Sequence, residues 1–135
     1  MDEFLAKADL GWVFDIVTFS YGSNDFNHSL PPQDVGARAG AMARRLTTQW
    51  PEARVIAICP SHWFGRAPTN EGGWNLEDYR QAIAAAVRGC PGCGFANGLD
   101  LMPADPSLFV DGVHPNAAGM GAYARGMVAA IRRVM

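Results

Sequence analysis

Two runs, Val13-Phe14-Asp15-Ile16-Val17-Thr18-Phe19-Ser20 and Arg54-Val55-Ile56-Ala57-Ile58-Cys59, are rich in β-branched and aromatic residues with almost no polar alternation. That pattern constrains the fold more than any other feature of the chain. A strand with one wet face alternates apolar and polar side chains. A strand covered on both faces does not, and such strands belong to parallel sheets flanked by helices. Between the two runs, Val35, Ala39, Met42, Leu46 and Trp50 recur at spacings of four, three, four and four, the apolar face of one helix, which Pro51 stops.

Asn75 with Asp78 three residues on is a capping box for a further helix lined by Leu76, Tyr79, Ile83 and Val87 and closed by Gly89. Phe95 to Met102 is a weaker strand, broken by Gly98. Met120, Ala124, Met127, Val128 and Ile131 line a terminal helix with Arg132 and Arg133 in its last turn. Residues 2–10 have the spacing of a helix tail. Strands alternating with helices predict an α/β domain with a doubly wound parallel sheet, and 135 residues predict a single domain over 1–135.

Composition excludes several roles. The net charge is −2 and the arginines are scattered, so no basic stripe suits nucleic acid. No apolar run approaches the ~20 residues that a membrane-spanning helix needs, and residues 1–5 lack the basic start and apolar core of a signal peptide. Of three cysteines, Cys59 sits in an apolar run. Cys90-Pro91-Gly92-Cys93 has no second pair or nearby His to complete a zinc site, which favours a helix-to-strand turn, with a local disulfide open to it in an oxidising compartment.

Sites in doubly wound sheets form at the carboxyl ends of the strands, which here means residues 20–28, 60–74 and 102–114. The first of these loops carries Gly22-Ser23-Asn24-Asp25. A glycine allows the sharp turn, and an amide NH₂ just past it is a neutral donor suited to a developing oxyanion. By itself the same segment is also a common Asx turn. In the last loop, Asp111-Gly112-Val113-His114-Pro115 sets a carboxylate and an imidazole three residues apart before the terminal helix, with Pro115 expected at its first position. A buried carboxylate would fix the tautomer and direction of a histidine acting as a base. The middle loop carries His62, Trp63, Phe64 and Trp74, a candidate substrate wall.

Taken together, in order and spacing, the strand-G-x-N-D element and Asp111-Gly112-Val113-His114-Pro115-Asn116-Ala117-Ala118-Gly119 resemble two conserved blocks of the SGNH (GDSL-type) serine hydrolase family. The resemblance covers essentially the whole chain. It implies a flavodoxin-like three-layer fold and a serine-dependent ester hydrolase. Asn24 would be an oxyanion-hole donor, His114 the general base and then acid, and Asp111 its orienting carboxylate. Gly22 and Asp25 would support the loop, with weaker substrate contacts from His62 and Trp63. No metal or organic cofactor is required, and the partner would be a small ester of a carbohydrate, lipid or other metabolite.

The chain departs from that pattern in one large respect: the family's G-D-S block, which holds the nucleophile, and the glycine block after it do not occur. The expectation is an N-terminally truncated domain of about three strands, beginning where the helix before the family's third strand ends and wanting roughly 50–70 residues at ordinary βα-unit sizes. Ser20, Ser23, Ser29, Ser61 and Ser107 are present, but none sits in a strand-to-helix elbow that would expose its hydroxyl. Without its family neighbour, the 13–20 strand would expose an apolar edge and favour self-association. The alternative is a catalytically inactive SGNH-like remnant serving as a binding or structural module. A nucleotide-binding flavodoxin-like domain is disfavoured, because no Gly-rich phosphate loop follows the first strand.

Overall fold

The computed structural model describes residues 12–134; the helix tail expected at 2–10 lies outside them. The elements are β1 (Ile16–Ser20), α1 (Ser23–Asn27), α2 (Pro32–Gln49), β2 (Arg54–Ile58), α3 (Leu76–Arg88), β3 (Cys93–Ala96) and α4 (Ala117–Val134), with 3₁₀ turns at Gly98–Asp100 and Pro106–Leu108. The sheet is parallel in the order β1-β2-β3, Val17 facing Val55 and Val55 facing Cys93.

Side-chain alternation along β2 separates the layers. Val55 and Ala57 point to the side of Leu46 and Ala43 of α2 and Val87 of α3. Ile56 and Ile58 meet Ala130 of α4, with Met127 and Ile131 around it. Because every residue from Val55 to Ile58 is buried, both faces of β2 must be apolar, and the absence of polar alternation follows. α2 and α3 pack closely at small residues: a Cβ on Gly36 would lie 2.7 Å from the Ala82 carbonyl oxygen. No helix among the described residues is long and apolar enough to cross a membrane.

The structure corrects the sequence reading at four places. The first strand covers Ile16–Ser20, not 13–20. It has β2 on one side and no partner on the other among the described residues, and Thr18 and Ser20 are exposed where full burial was expected. β3 starts at Cys93 and ends at Ala96, because Gly98 turns the chain against the Cys59 carbonyl, 2.3 Å from where a Cβ would stand. The terminal helix begins at Ala117. Pro115 is used earlier, in an antiparallel bridge with Phe109, and Asn116 Oδ1 accepts the Gly119 N–H at 3.0 Å in the manner of a cap. Finally, Asp111 is not buried. The capping box at Asn75 is present, with Asn75 Oδ1 accepting two backbone N–H groups and Asp78 returning the bond at 2.8 Å. Cys90-Pro91-Gly92-Cys93 is a turn, its thiols free and Gly92 at φ 78°.

Candidate active site

Asp111 and His114 are brought together by local backbone geometry. The Phe109–Pro115 bridge and the Val110 N–H to His114 carbonyl bond (2.8 Å) close the segment into a turn. Within it, Asp111 Oδ1 accepts the N–H groups of Val113 (3.0 Å) and His114 (2.8 Å), and Oδ2 lies 2.8 Å from His114 Nδ1. The carboxyl is held well below the usual carboxylate range, first by the His114 backbone N–H, then by the His114 ring and the Val113 N–H. An ionised carboxylate accepts and cannot donate, so Nδ1 carries the hydrogen and, in the neutral ring, Nε2 presents its lone pair outward. The His114 side chain is 76% exposed and that of Asp111 45%. The carboxylate therefore owes its orientation to backbone N–H groups, whereas the sequence reading relied on burial.

The loop after β1 is organised by tertiary packing. Gly22 is buried at φ 105°, and a Cβ there would stand 2.9 Å from Pro60 Cγ and 3.1 Å from Ile83 Cδ1, so glycine is required for both space and conformation. Asp25 Oδ2 accepts the Gly22 N–H at 3.1 Å, closing the turn on itself. Asn24 is exposed on α1, while Phe26 in the same short helix is buried against Trp63 (ring centroids 5.2 Å apart) and Tyr79 (5.7 Å).

Residues 60–74 tie these two regions to each other. Phe64 donates its N–H to the Gly112 carbonyl at 2.9 Å and packs edge-on against Phe109. A Cβ on Gly112, at φ 82°, would come within 2.2 Å of the Phe64 carbonyl oxygen. At the other end of the loop, Asn70 spends its whole amide: Nδ2 donates to the Phe26 carbonyl (3.0 Å) and the Tyr79 hydroxyl (2.9 Å), and Oδ1 accepts from Gly72 and Trp74. Arg80 clamps the start of the loop by donating to the carbonyls of Pro60 (2.8 Å) and Ser61 (2.6 Å). Sequence reasoning missed Asn70, Arg80 and Phe64 in these roles, since an Asn before Glu71-Gly72-Gly73 looks like any turn residue.

The predicted site residues thus gather at one end of the sheet without all touching. Asp111 and His114 are in contact, as are Gly22 and Asp25. Among the described residues no hydrogen bond joins Asn24 to either member of the Asp/His pair, and no serine hydroxyl is bonded to His114. His62 Nε2 lies 3.2 Å from the Leu99 carbonyl and its ring stacks on Phe64. Trp63 leans on Phe26, and Trp74 covers Gly72 so closely that a Cβ would strike its ring. The aromatics of the middle loop therefore act first as anchors. A cleft of about 530 Å³ runs beside them, lined by Phe26, His28, Trp63, Arg66, Asn70 and Glu71 among others. A second lobe of about 270 Å³ shares Trp63 and Arg66. Neither is lined by Asp111 or His114.

No curated protein matches the chain. Among solved structures, one from Lactobacillus plantarum is 25% identical with a TM-score of 0.77, covering 93% of this chain and 70% of its own. A peptidoglycan O-acetylesterase is 20% identical at TM-score 0.70 (89% of this chain, 37% of that one). A family two carbohydrate esterase from Clostridium thermocellum, in complex with cellohexaose, is 19% identical at 0.68 (90% and 36%). The chain thus spans little more than a third of the length of these two esterases. At such identities the likeness concerns the fold, but the profile of one family, the GDSL-like lipase/acylhydrolase family, matches residues 1–122. Its match to most of the chain agrees with the three-layer parallel sheet and with the two motif loops at the sheet's carboxyl end: the chain belongs to the GDSL-like lipase/acylhydrolase family.

Proposed function

We propose that this chain carries the proton-transfer and oxyanion-stabilising part of a serine-dependent ester hydrolase acting on small acyl or carbohydrate esters. The observation that carries the reading is the 2.8 Å contact between His114 Nδ1 and Asp111 Oδ2, with Oδ1 held by two backbone N–H groups. That arrangement leaves Nε2 free to take the proton of a serine hydroxyl as it attacks the ester carbonyl. The tetrahedral oxyanion then accepts from the Asn24 amide. Imidazolium, stabilised by Asp111, returns the proton to the departing alkoxide, and water repeats the sequence to release the acid. Gly22 and Asp25 hold the turn that presents Asn24. In this reading the nucleophile is the serine of the family's G-D-S block, which residues 1–135 do not contain, supplied by another segment. Hydrolysis of p-nitrophenyl acetate by the full natural polypeptide tests the reading; a His114→Ala variant that keeps its rate overturns it.

A second reading, a binding module that has lost catalysis, draws on the lack of a G-D-S block in residues 1–135. The two readings part on a fluorophosphonate probe, which labels a hydrolase at its serine and leaves a remnant unmodified. Self-association through the open side of β1 is a further part of the proposal: Trp12 and Val13, just before the strand, are 59% and 88% exposed. Sedimentation of the 135-residue chain is expected to show concentration-dependent association, and a monodisperse monomer removes this part of the proposal.

A further inference from the structure

The lobe of about 270 Å³ beside Trp63 brings two arginines into one lining. Its lining includes Arg66, Arg80 and His62 and contains no carboxylate, while Phe26, Trp63 and Leu76 supply apolar walls. Arg80 is held at the base of the lobe with a side chain only 11% exposed. Its guanidinium donates to the Pro60 and Ser61 carbonyls, and Glu77, 52% exposed and 3.4 Å away, offsets it weakly. His62 is turned by its contact with the Leu99 carbonyl. Arg66, at the junction of this lobe with the larger cleft, is exposed and pairs with no carboxylate among the described residues. Positive charge set in a concave, partly apolar site attracts anions more strongly than the same charge on an open surface, because the low-dielectric walls focus its field.

We propose that this lobe is a binding subsite for a small organic anion, with a carboxylate on the Arg66 guanidinium and its hydrocarbon part against Phe26, Trp63 and Leu76. The lobe is smaller than the roughly 300–1,000 Å³ of pockets for drug-sized ligands, so it takes one substituent and not a whole chain. Its position relates it to the candidate site: Phe26 lies two residues beyond Asn24, and the loop carrying Trp63 and Arg66 is fastened to Gly112 through Phe64. As a subsite for an ester the inference rests on the hydrolase reading, and it selects esters that bear a second, anionic group. As a binding site it stands apart from that reading.

The test separates the two. Binding of phenylacetate and of its neutral counterpart phenylacetamide to the full chain is followed by ligand-observed NMR at low salt. Phenylacetate is expected to bind saturably and about tenfold more tightly, the worth of one charge-assisted contact in a half-open site. The preference is expected to shrink as salt rises, to vanish in Arg66→Gln and to persist in Arg66→Lys. Arg66 is exposed, so neither variant threatens the fold. Equal affinity for the two probes, no saturable binding of either, or a preference that survives Arg66→Gln overturns the inference. Ester hydrolysis by the full natural polypeptide, measured in parallel, reports on the other reading: a charge preference without hydrolysis removes the enzyme and leaves the subsite, and hydrolysis without a charge preference does the reverse.

Discussion

Two loops at the same end of the sheet each hold an aspartate against a backbone N–H three residues away, in opposite directions along the chain. Asp25 reaches back to Gly22, and Asp111 reaches forward to His114. Their supports differ. Gly22 is buried, with Pro60 and Ile83 where a side chain would go, whereas His114 projects with its side chain 76% exposed. The first loop has its shape because the core around it permits no other. The second is a self-contained polar turn attached to the core through Phe109 and the Phe64–Gly112 bond. Damage to the core should therefore reach Asn24 before it reaches the Asp/His pair, and changes in the pair should leave the fold intact.

The sharpest way to break this contrast is His114→Ala. Removing a general base is expected to lower ester hydrolysis by about 10³–10⁴-fold. Because the side chain lies in water, the unfolding free energy in urea should stay within about 0.5 kcal/mol of the parent. A large loss of stability would show that the turn is structural after all.

Gly22→Ala is the converse test. A side chain at positive φ, 2.9 Å from Pro60 Cγ, is expected to cost about 2–4 kcal/mol in urea unfolding. Gly112→Ala meets the Phe64 carbonyl but lies in a half-exposed loop that can shift, so about 1–2 kcal/mol is expected there. If Gly112→Ala proves the costlier change, the ranking of core-held over locally held is wrong.

Asn70→Ala removes the two bonds that tie the middle loop to α1 and α3 and the two that shape the loop at Gly72 and Trp74. A loss of about 1–3 kcal/mol is expected, since the Phe26 carbonyl loses a donor. Hydrogen exchange should quicken in residues 63–74 and 23–28 and stay unchanged at Val113 and His114. Faster exchange at those two amides would mean that the loops are coupled more tightly than proposed.

The smallest expected effect is that of pH on Asp111. Its folded-state value is depressed below the unfolded value of about 3.9. The stability it contributes is accordingly present above that value and is lost as pH falls through the lower, folded one. With both partners open to solvent the contribution to unfolding is slight, but the titration itself is readable. Carboxyl ¹³C shifts should find Asp111 still ionised near pH ~3, where unperturbed aspartates are largely protonated. An ordinary Asp111 titration would mean that the backbone N–H bonds do not hold the carboxylate.

Much of this was legible in the residues. The unalternating run at 54–59 required cover on both faces, and β2 has it. The Asn75–Asp78 box marked the start of α3, and the D-x-x-H segment, read together with the strand-G-x-N-D element, paired Asp111 with His114. Legibility failed where distant chain competes for a residue. Pro115 is suited to a helix start but is drawn into a bridge with Phe109, and Gly98 ends β3 because Cys59 and Pro60 approach it. Trp63 and Trp74 have partners that no spacing could show, Phe26 for one and Gly72 for the other.

Sequence by itself determined the class of fold and the two family blocks, because each depends on side-chain periodicity or on residue types at short fixed spacing. Only the tertiary structure decided that Asp111 faces water, that Asn70 and Arg80 hold the middle loop, and that Arg66 looks into a lobe without a carboxylate. Those facts depend on pairs of residues brought together across the sheet, such as Asn70 with Phe26 and Arg80 with Pro60, whose spacing along the chain carries no periodic signal.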